Sequence, residues 1–120
     1  PDALKTCVLN IKEQFKHRKV NLVFGCGGDR DKPKRSIMGK IANDLCDKIY
    51  LTDDNPRTES PKKIRKNIKA KILKSKLVEI PSRKKAIEKA IKDLRSDEIL
   101  IVAGKGHENY QEYKTKKFFS

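Results

Sequence analysis

Tryptophan is absent from this chain of 120 residues, methionine occurs once, and aromatic residues make up only 6% of it. A platform of aromatic rings for stacking nucleic-acid bases is therefore poorly supplied. The cysteines are few and unmatched: Cys7, Cys26 and Cys46 are odd in number, widely spaced and form no CxxC pair. That pattern excludes a disulfide framework and a zinc site, and reads as reduced thiols in a cytoplasmic protein. No apolar run approaches the roughly 18 residues that cross a bilayer, so no transmembrane helix is expected. Residues 1–20 lack the apolar core of a signal peptide. The first residue is Pro1 rather than methionine, and the chain is expected to be a piece of something longer.

Acidic residues are also scarce. Sixteen of them face 30 basic ones, for a formal net charge of +14. Such a charge invites a nucleic-acid reading. However, 23 of the 30 are lysines scattered along every segment, a pattern that suits solvated faces better than one dedicated surface. A hydrophobic fraction of 36% and this length suffice for one domain with a real core.

Periodicity then places the elements. Leu4, Val8, Ile11 and Phe15 recur at helical spacing over residues 2–15, with Asp2 as a candidate cap. Asn21 to Cys26 reads as a buried strand. Ser36 is expected to cap a helix whose inward face is Ile37, Met38, Ile41, Ala42 and Leu45. Lys48 to Thr52 reads as a second strand, and a helix carrying Ile64, Ile68 and Ile72 opens at Pro61, a residue preferred at the first helical position. Leu77 to Ile80 is a third strand. Pro81 to Leu94 is a helix with Ala86, Ile87, Ala90, Ile91 and Leu94 inward, and Glu98 to Ala103 is the most apolar strand. The tail, residues 109–119, alternates in character and suits an edge hairpin. This alternation predicts an α/β fold: a Rossmann-like, mostly parallel sheet flanked by helices, with a short C-terminal antiparallel hairpin or edge strand.

Ligands of such sheets bind beyond the carboxyl ends of the strands, and three polar loops fall there. The first, after Cys26, offers Gly27 and Gly28, then Asp29, Arg30, Asp31, Lys32, Lys34 and Arg35. Backbone amides and cations suit phosphate oxygens. The loop is neither a Walker A motif nor GxGxxG, and a plain charged turn fits equally well. The second reads Asp53-Asp54-Asn55-Pro56-Arg57. Pro56 stiffens the turn, which could grip a carboxylate through the arginine fork or simply lead as an Asx turn into the next helix. The third, Gly104-Lys105-Gly106-His107-Glu108, lets backbone approach a ligand, and Glu108 could accept from an ammonium. His107 alone reads as structural. No catalytic triad and no metal-ligand spacing is present.

Taken in order, GCGGDRDKPKR, TDDNPR and AGKGHENYQE resemble the C-terminal domain of the Mur ligases, and within that family the members that add meso-diaminopimelate. The resemblance covers nearly the whole chain. It departs from the usual pattern at Pro33, often glycine, and at Ser36, often proline. It implies that residues 1–120 are one amino-acid-binding domain of a three-domain, ATP-dependent, amide-bond-forming ligase of peptidoglycan synthesis. In that family the first domain binds the UDP end of the UDP-N-acetylmuramoyl-dipeptide, and the central one carries the P-loop and the magnesium ligands. The expected partners are thus those two domains and the small-molecule substrates, with no membrane, no nucleic acid and a monomeric enzyme in the cytoplasm. The alternative is a non-catalytic basic module on the same fold, binding nucleic acid or an acidic partner.

By the same resemblance, Arg57 clamps the distal carboxylate of diaminopimelate that lysine lacks, with Asn55 and Asp54 holding that end. Arg30 meets a carboxylate, while the Gly104 carbonyl and Glu108 hold the distal ammonium. Asp29, Lys32 and Lys34 face the ATP phosphates, and magnesium and ATP are held mainly by the central domain. No residue of this chain is assigned a catalytic or metal-ligating role, and the isolated chain is expected to be inactive.

Overall fold

The computed structural model describes residues 2–28, 32–103 and 110–114. Helix α1 (Asp2–Gln14) leads into strand β1 (Val20–Phe24), followed by α2 (Pro33–Leu45), β2 (Lys48–Leu51) and α3 (Pro61–Lys69). The chain continues through β3 (Leu77–Glu79), α4 (Arg83–Asp93), β4 (Ile99–Ala103) and β5 (Tyr110–Lys114). The five strands form one sheet in the order β3-β2-β1-β4-β5. β1 pairs parallel with β2 and β4, β2 pairs parallel with β3, and β5 closes the edge antiparallel to β4. The expected Rossmann-like sheet with an antiparallel edge strand is therefore present.

The strands are buried because both faces are covered, and side-chain alternation divides the core in two. Val20, Leu22, Phe24, Ile49, Leu51, Ile99 and Ile101 point to one face, where they meet Leu4, Val8 and Ile11 of α1, Ala42 of α2, and Ile64 and Ile68 of α3. Val23, Tyr50, Leu100 and Val102 point to the other, where Ala86 and Ala90 of α4 cover them. Chain order explains the division. From β1 the chain steps outward through α2 and α3 to β3, then returns across the sheet through α4 to β4. Crossovers of one hand that reverse direction must place their helices on opposite faces. The reversal makes the junction of β1 and β4 the point where strand order switches, beside which ligands of such sheets bind.

Local signals explain most boundaries. Ser60 caps α3, its side chain accepting from the Lys63 amide, with Pro61 in the first turn, and Ser82 caps α4 by accepting from the Lys85 amide. Helix α2 differs from expectation. It starts at Pro33, three residues before Ser36, and Lys32 occupies the cap position without a side-chain cap bond. Ser36 lies inside the first turn and donates to the Pro33 carbonyl at 3.3 Å. Of the expected inward stripe, Met38, Ile41, Ala42 and Leu45 do pack on the core, but Ile37 is exposed, and Arg35 and Gly39 are buried beside Ala42. The cause is close packing on α3. A Cβ on Gly39 would lie 2.2 Å from the Ile68 carbonyl oxygen, so only glycine permits this approach, and the helix rotates to present it.

Candidate functional site

The carboxyl ends of β1 and β2 carry two of the three polar loops, and the structure joins them. Beyond the last ladder pair, Phe24 with Leu51, the Thr52 amide donates to the Phe24 carbonyl at 2.9 Å. The chains then separate toward α2 and α3. Gly28 donates its amide to the Asn55 carbonyl at 3.0 Å, and Arg57 Nη1 donates to the Gly28 carbonyl at 2.7 Å. The second loop is a strained turn, with φ at +34° for Asn55 and +52° for Arg57, on either side of Pro56. Asparagine tolerates this left-handed region, whereas arginine there is uncommon and concentrates at functional sites. A Cβ on Gly28 would lie 1.8 Å from the Pro56 carbonyl oxygen. The glycines of the first loop thus admit the second loop rather than a ligand directly.

The side chains around this junction divide into committed and available groups. Arg35 is committed: 2% exposed, it donates to both carboxylate oxygens of Glu59, at 2.6 and 3.0 Å, and to Asn67 Oδ1 at 3.1 Å. It is a buried tether, not the phosphate-facing cation that the first loop suggested. Arg65 is likewise committed, bonding Glu79 at 2.7 Å and Asp53, while Lys69 bonds Glu79 at 2.9 Å. Burial pushes the Glu79 carboxyl up, but its bonds from Lys69 and Arg65 outweigh that and hold it below the usual carboxylate range.

The available groups are Asn55 and Arg57, exposed at the turn, and Asp54, whose Oδ1 is buried without a hydrogen-bond partner among the described residues. A carboxylate oxygen in that state is costly to the fold and suits a cation or an N–H donor brought by a ligand. Lys32 and Lys34 are exposed at the N-terminus of α2, whose first turn carries no acid. That donor set fits phosphate oxygens. Asp29, Arg30, Gly104 and Glu108 lie outside the described residues, as does the third loop that contains the last two. Among the described residues the structure therefore brings together Asp54, Asn55 and Arg57 of one expected group, and Lys32 and Lys34 of the other.

Cys26 and Cys46 do not contribute a nucleophile. None of the three cysteines is in a disulfide. Burial pushes Cys26 up to about 11, and nearby Arg35 lowers it less than burial raises it. Burial pushes Cys46 up to about 12. Neither holds a thiolate near neutral pH. A separate polar cleft of about 430 Å³ opens at the opposite ends of the strands, between Lys19, Lys48 and Arg95. Its acids serve the fold: Asp47 accepts from the Val20 amide at 2.9 Å, and Asp93 accepts from the Tyr50 hydroxyl at 2.8 Å. Burial, then that bond to Asp93, raises the Tyr50 hydroxyl well above its ordinary value. The cleft lies away from the strand-order switch, and the site is placed at the carboxyl ends.

A Rossmann-like sheet with a stiff, arginine-bearing turn after β2, held against the loop after β1, defines a domain of the α/β class. The chain belongs to the Mur ligase family, matching the family profile "Mur ligase, glutamate ligase domain" over residues 1–106. It is 50% identical over 118 residues to the UDP-N-acetylmuramoyl-L-alanyl-D-glutamate–2,6-diaminopimelate ligase of Rickettsia felis, covering 98% of this chain and 22% of that protein. The ligase of the same name from Rickettsia conorii is 51% identical, with 25% of its length covered. A solved structure bearing that ligase name superposes with a TM-score of 0.74 at 38% identity, covering 92% of this chain and 24% of the other. The chain thus spans about a quarter of the length of the relatives it matches. No helix among the described residues is long and apolar enough to cross a membrane.

Proposed function

We propose that this chain is the amino-acid-binding domain of a ligase that joins meso-diaminopimelate to the D-glutamate of UDP-N-acetylmuramoyl-L-alanyl-D-glutamate. The observation that carries this reading is the strained turn holding Arg57 in the open against the Gly28 carbonyl. One guanidinium N–H is spent on positioning. Among the described residues the others are left to meet a carboxylate in the planar, two-pronged geometry that arginine favours. Asn55 lies beside it, and Asp54 offers its unpartnered oxygen to a donor on the same ligand. Arg30, Gly104 and Glu108 complete the set by their place in the matching motifs, two cations for carboxylates and an anion with a carbonyl for the distal ammonium.

The remaining domains, with their P-loop, would hold ATP and magnesium, which would supply the activation of the D-glutamate side-chain carboxylate. This chain's part is to bind the amino acid, aim its amine and exclude water as the domains close. Lys32 and Lys34 stand at the N-terminus of α2, and by the matching motif they serve with Asp29 on the phosphate side. Discrimination against lysine follows from the fork: a ligand without the distal carboxylate leaves Arg57 unpaired, a loss that a merely smaller contact would not incur.

The test is Arg57→Ala in the full-length enzyme. We expect kcat/KM for diaminopimelate to fall about 100-fold or more, as for a site built to bond a group that is then left unpaired, with the thermal midpoint nearly unchanged. Near-normal turnover with diaminopimelate would sink the assignment.

A further inference from the structure

Arg35 is one of the most thoroughly buried side chains of the molecule and its only buried charged one among the described residues. It stands in the first turn of α2, one helical turn before Gly39, so the two share the face pressed against α3. Its guanidinium meets Glu59, which ends the second loop immediately before the Ser60 cap, and Asn67, on α3 itself. A weaker contact, at 3.5 Å, reaches back to the Gly27 carbonyl. One side chain thus touches the first loop, the second loop and the helix that follows it.

Stability explains this arrangement poorly. A buried ion pair loses in desolvation about what it regains in attraction, and well-packed apolar residues often do as well or better. A cation in the first turn of a helix is also opposed by the helix dipole. What a two-pronged pair with a buried arginine and a largely buried carboxylate does supply is fixed distance and orientation.

We propose that Arg35 is a positioning residue for the amino-acid site, setting the separation of the Gly27–Gly28 loop and the Asn55–Arg57 turn through Glu59 and Asn67. It touches no ligand and acts through Arg57. The inference rests on the reading of that turn as the diaminopimelate clamp. Arg57 reaches Gly28 through one hydrogen bond, so any change in loop separation tilts its fork away from the incoming carboxylate.

The test uses the full-length ligase with Arg35→Lys, which keeps charge but loses the fork, and Glu59→Gln, which keeps shape but weakens the pair. We expect KM for diaminopimelate to rise about 10-fold, within the range that small misplacements produce. Rejection of lysine should weaken, while kcat and the KM values for ATP and the UDP-linked substrate change less than about twofold. A parallel rise of all three KM values, or unchanged diaminopimelate KM and lysine rejection in folded variants, would overturn the proposal. If both variants unfold, Asn67→Ala decides, because it removes one bond at an exposed residue. A rise of about threefold in diaminopimelate KM alone is expected, and no change overturns the role. Arg57→Ala, measured alongside, separates the two ideas. If it leaves diaminopimelate addition intact, the clamp itself is wrong; if it abolishes addition while the Arg35, Glu59 and Asn67 variants are normal, only the positioning role falls.

Discussion

Single atoms govern how close the two loops can come. The Cβ that Gly28 lacks would sit 1.8 Å from the Pro56 carbonyl oxygen, and a backbone atom cannot move aside as a flexible side chain can. Gly28→Ala should therefore part the loops, break the Gly28 amide bond to Asn55 and cost about 1–3 kcal/mol, the usual penalty for forcing volume into a packed place. Denaturant unfolding of the variant checks this, and a loss well under 0.5 kcal/mol would show the turn to be freely adjustable. At this scale the sequence reveals chemistry better than burial. Arg57 was singled out by the resemblance of its turn to the family motif, since the residues alone left a plain Asx turn leading into the next helix open. Arg35 was not, because a buried arginine and a surface one are written alike when their partners, Glu59 and Asn67, lie more than 20 residues away.

Elements transmit these atomic constraints. Helix α3 is tied to the ends of β2 and β3 by Arg65 and Lys69, which hold the carboxylates of Asp53 and Glu79. Because the Glu79 carboxyl lies lower in the folded chain than in the unfolded one, its contribution is fully present above the ordinary value of 4.5. It fades as pH falls through the folded value. Thermal melts from pH 7 to 3 should show the native protein above Glu79→Gln at neutral pH, with the gap narrowing as pH falls below the ordinary value of 4.5; a constant gap would assign the stabilisation to packing instead. Helix existence was legible from period and caps, as at Ser60-Pro61 and Ser82. The rotation of α2 was not. Met38, Ile41, Ala42 and Leu45 pack on the core as the period promised, but Ile37 is exposed and Arg35 and Gly39 are buried instead, because the approach of Gly39 to Ile68 joins residues distant in sequence.

The molecule as a whole places its basic surface on both sides of the sheet. Exposed Lys62, Lys63 and Lys66 lie on α3, and Lys84, Lys85 and Lys92 on α4, helices that cover opposite faces. Such a distribution forms no single track for a duplex. Any attachment to DNA should be indifferent to base sequence and fall steeply with log salt concentration. Fluorescence anisotropy with two unrelated duplexes between 50 and 200 mM salt checks this. A shared preference for one sequence, persisting at the higher salt, would favour the basic-module alternative. The parallel sheet and the position of the loops at its strand ends were legible from the alternation of short apolar strands and helices, whereas the strand order is set by contacts between strands distant in sequence.

The mutual dependence of Gly28 and the Asn55–Arg57 turn has a consequence for inheritance. Each loop fits only the other: the turn needs a neighbour without a side chain, and Arg57 needs that neighbour's carbonyl. A ligand preference could not then be transplanted by grafting the turn alone into a related scaffold. The two segments would have to travel together, and across descendants of a common ancestor their substitutions should be correlated, as though the site were a single gene segment divided by the length of α2.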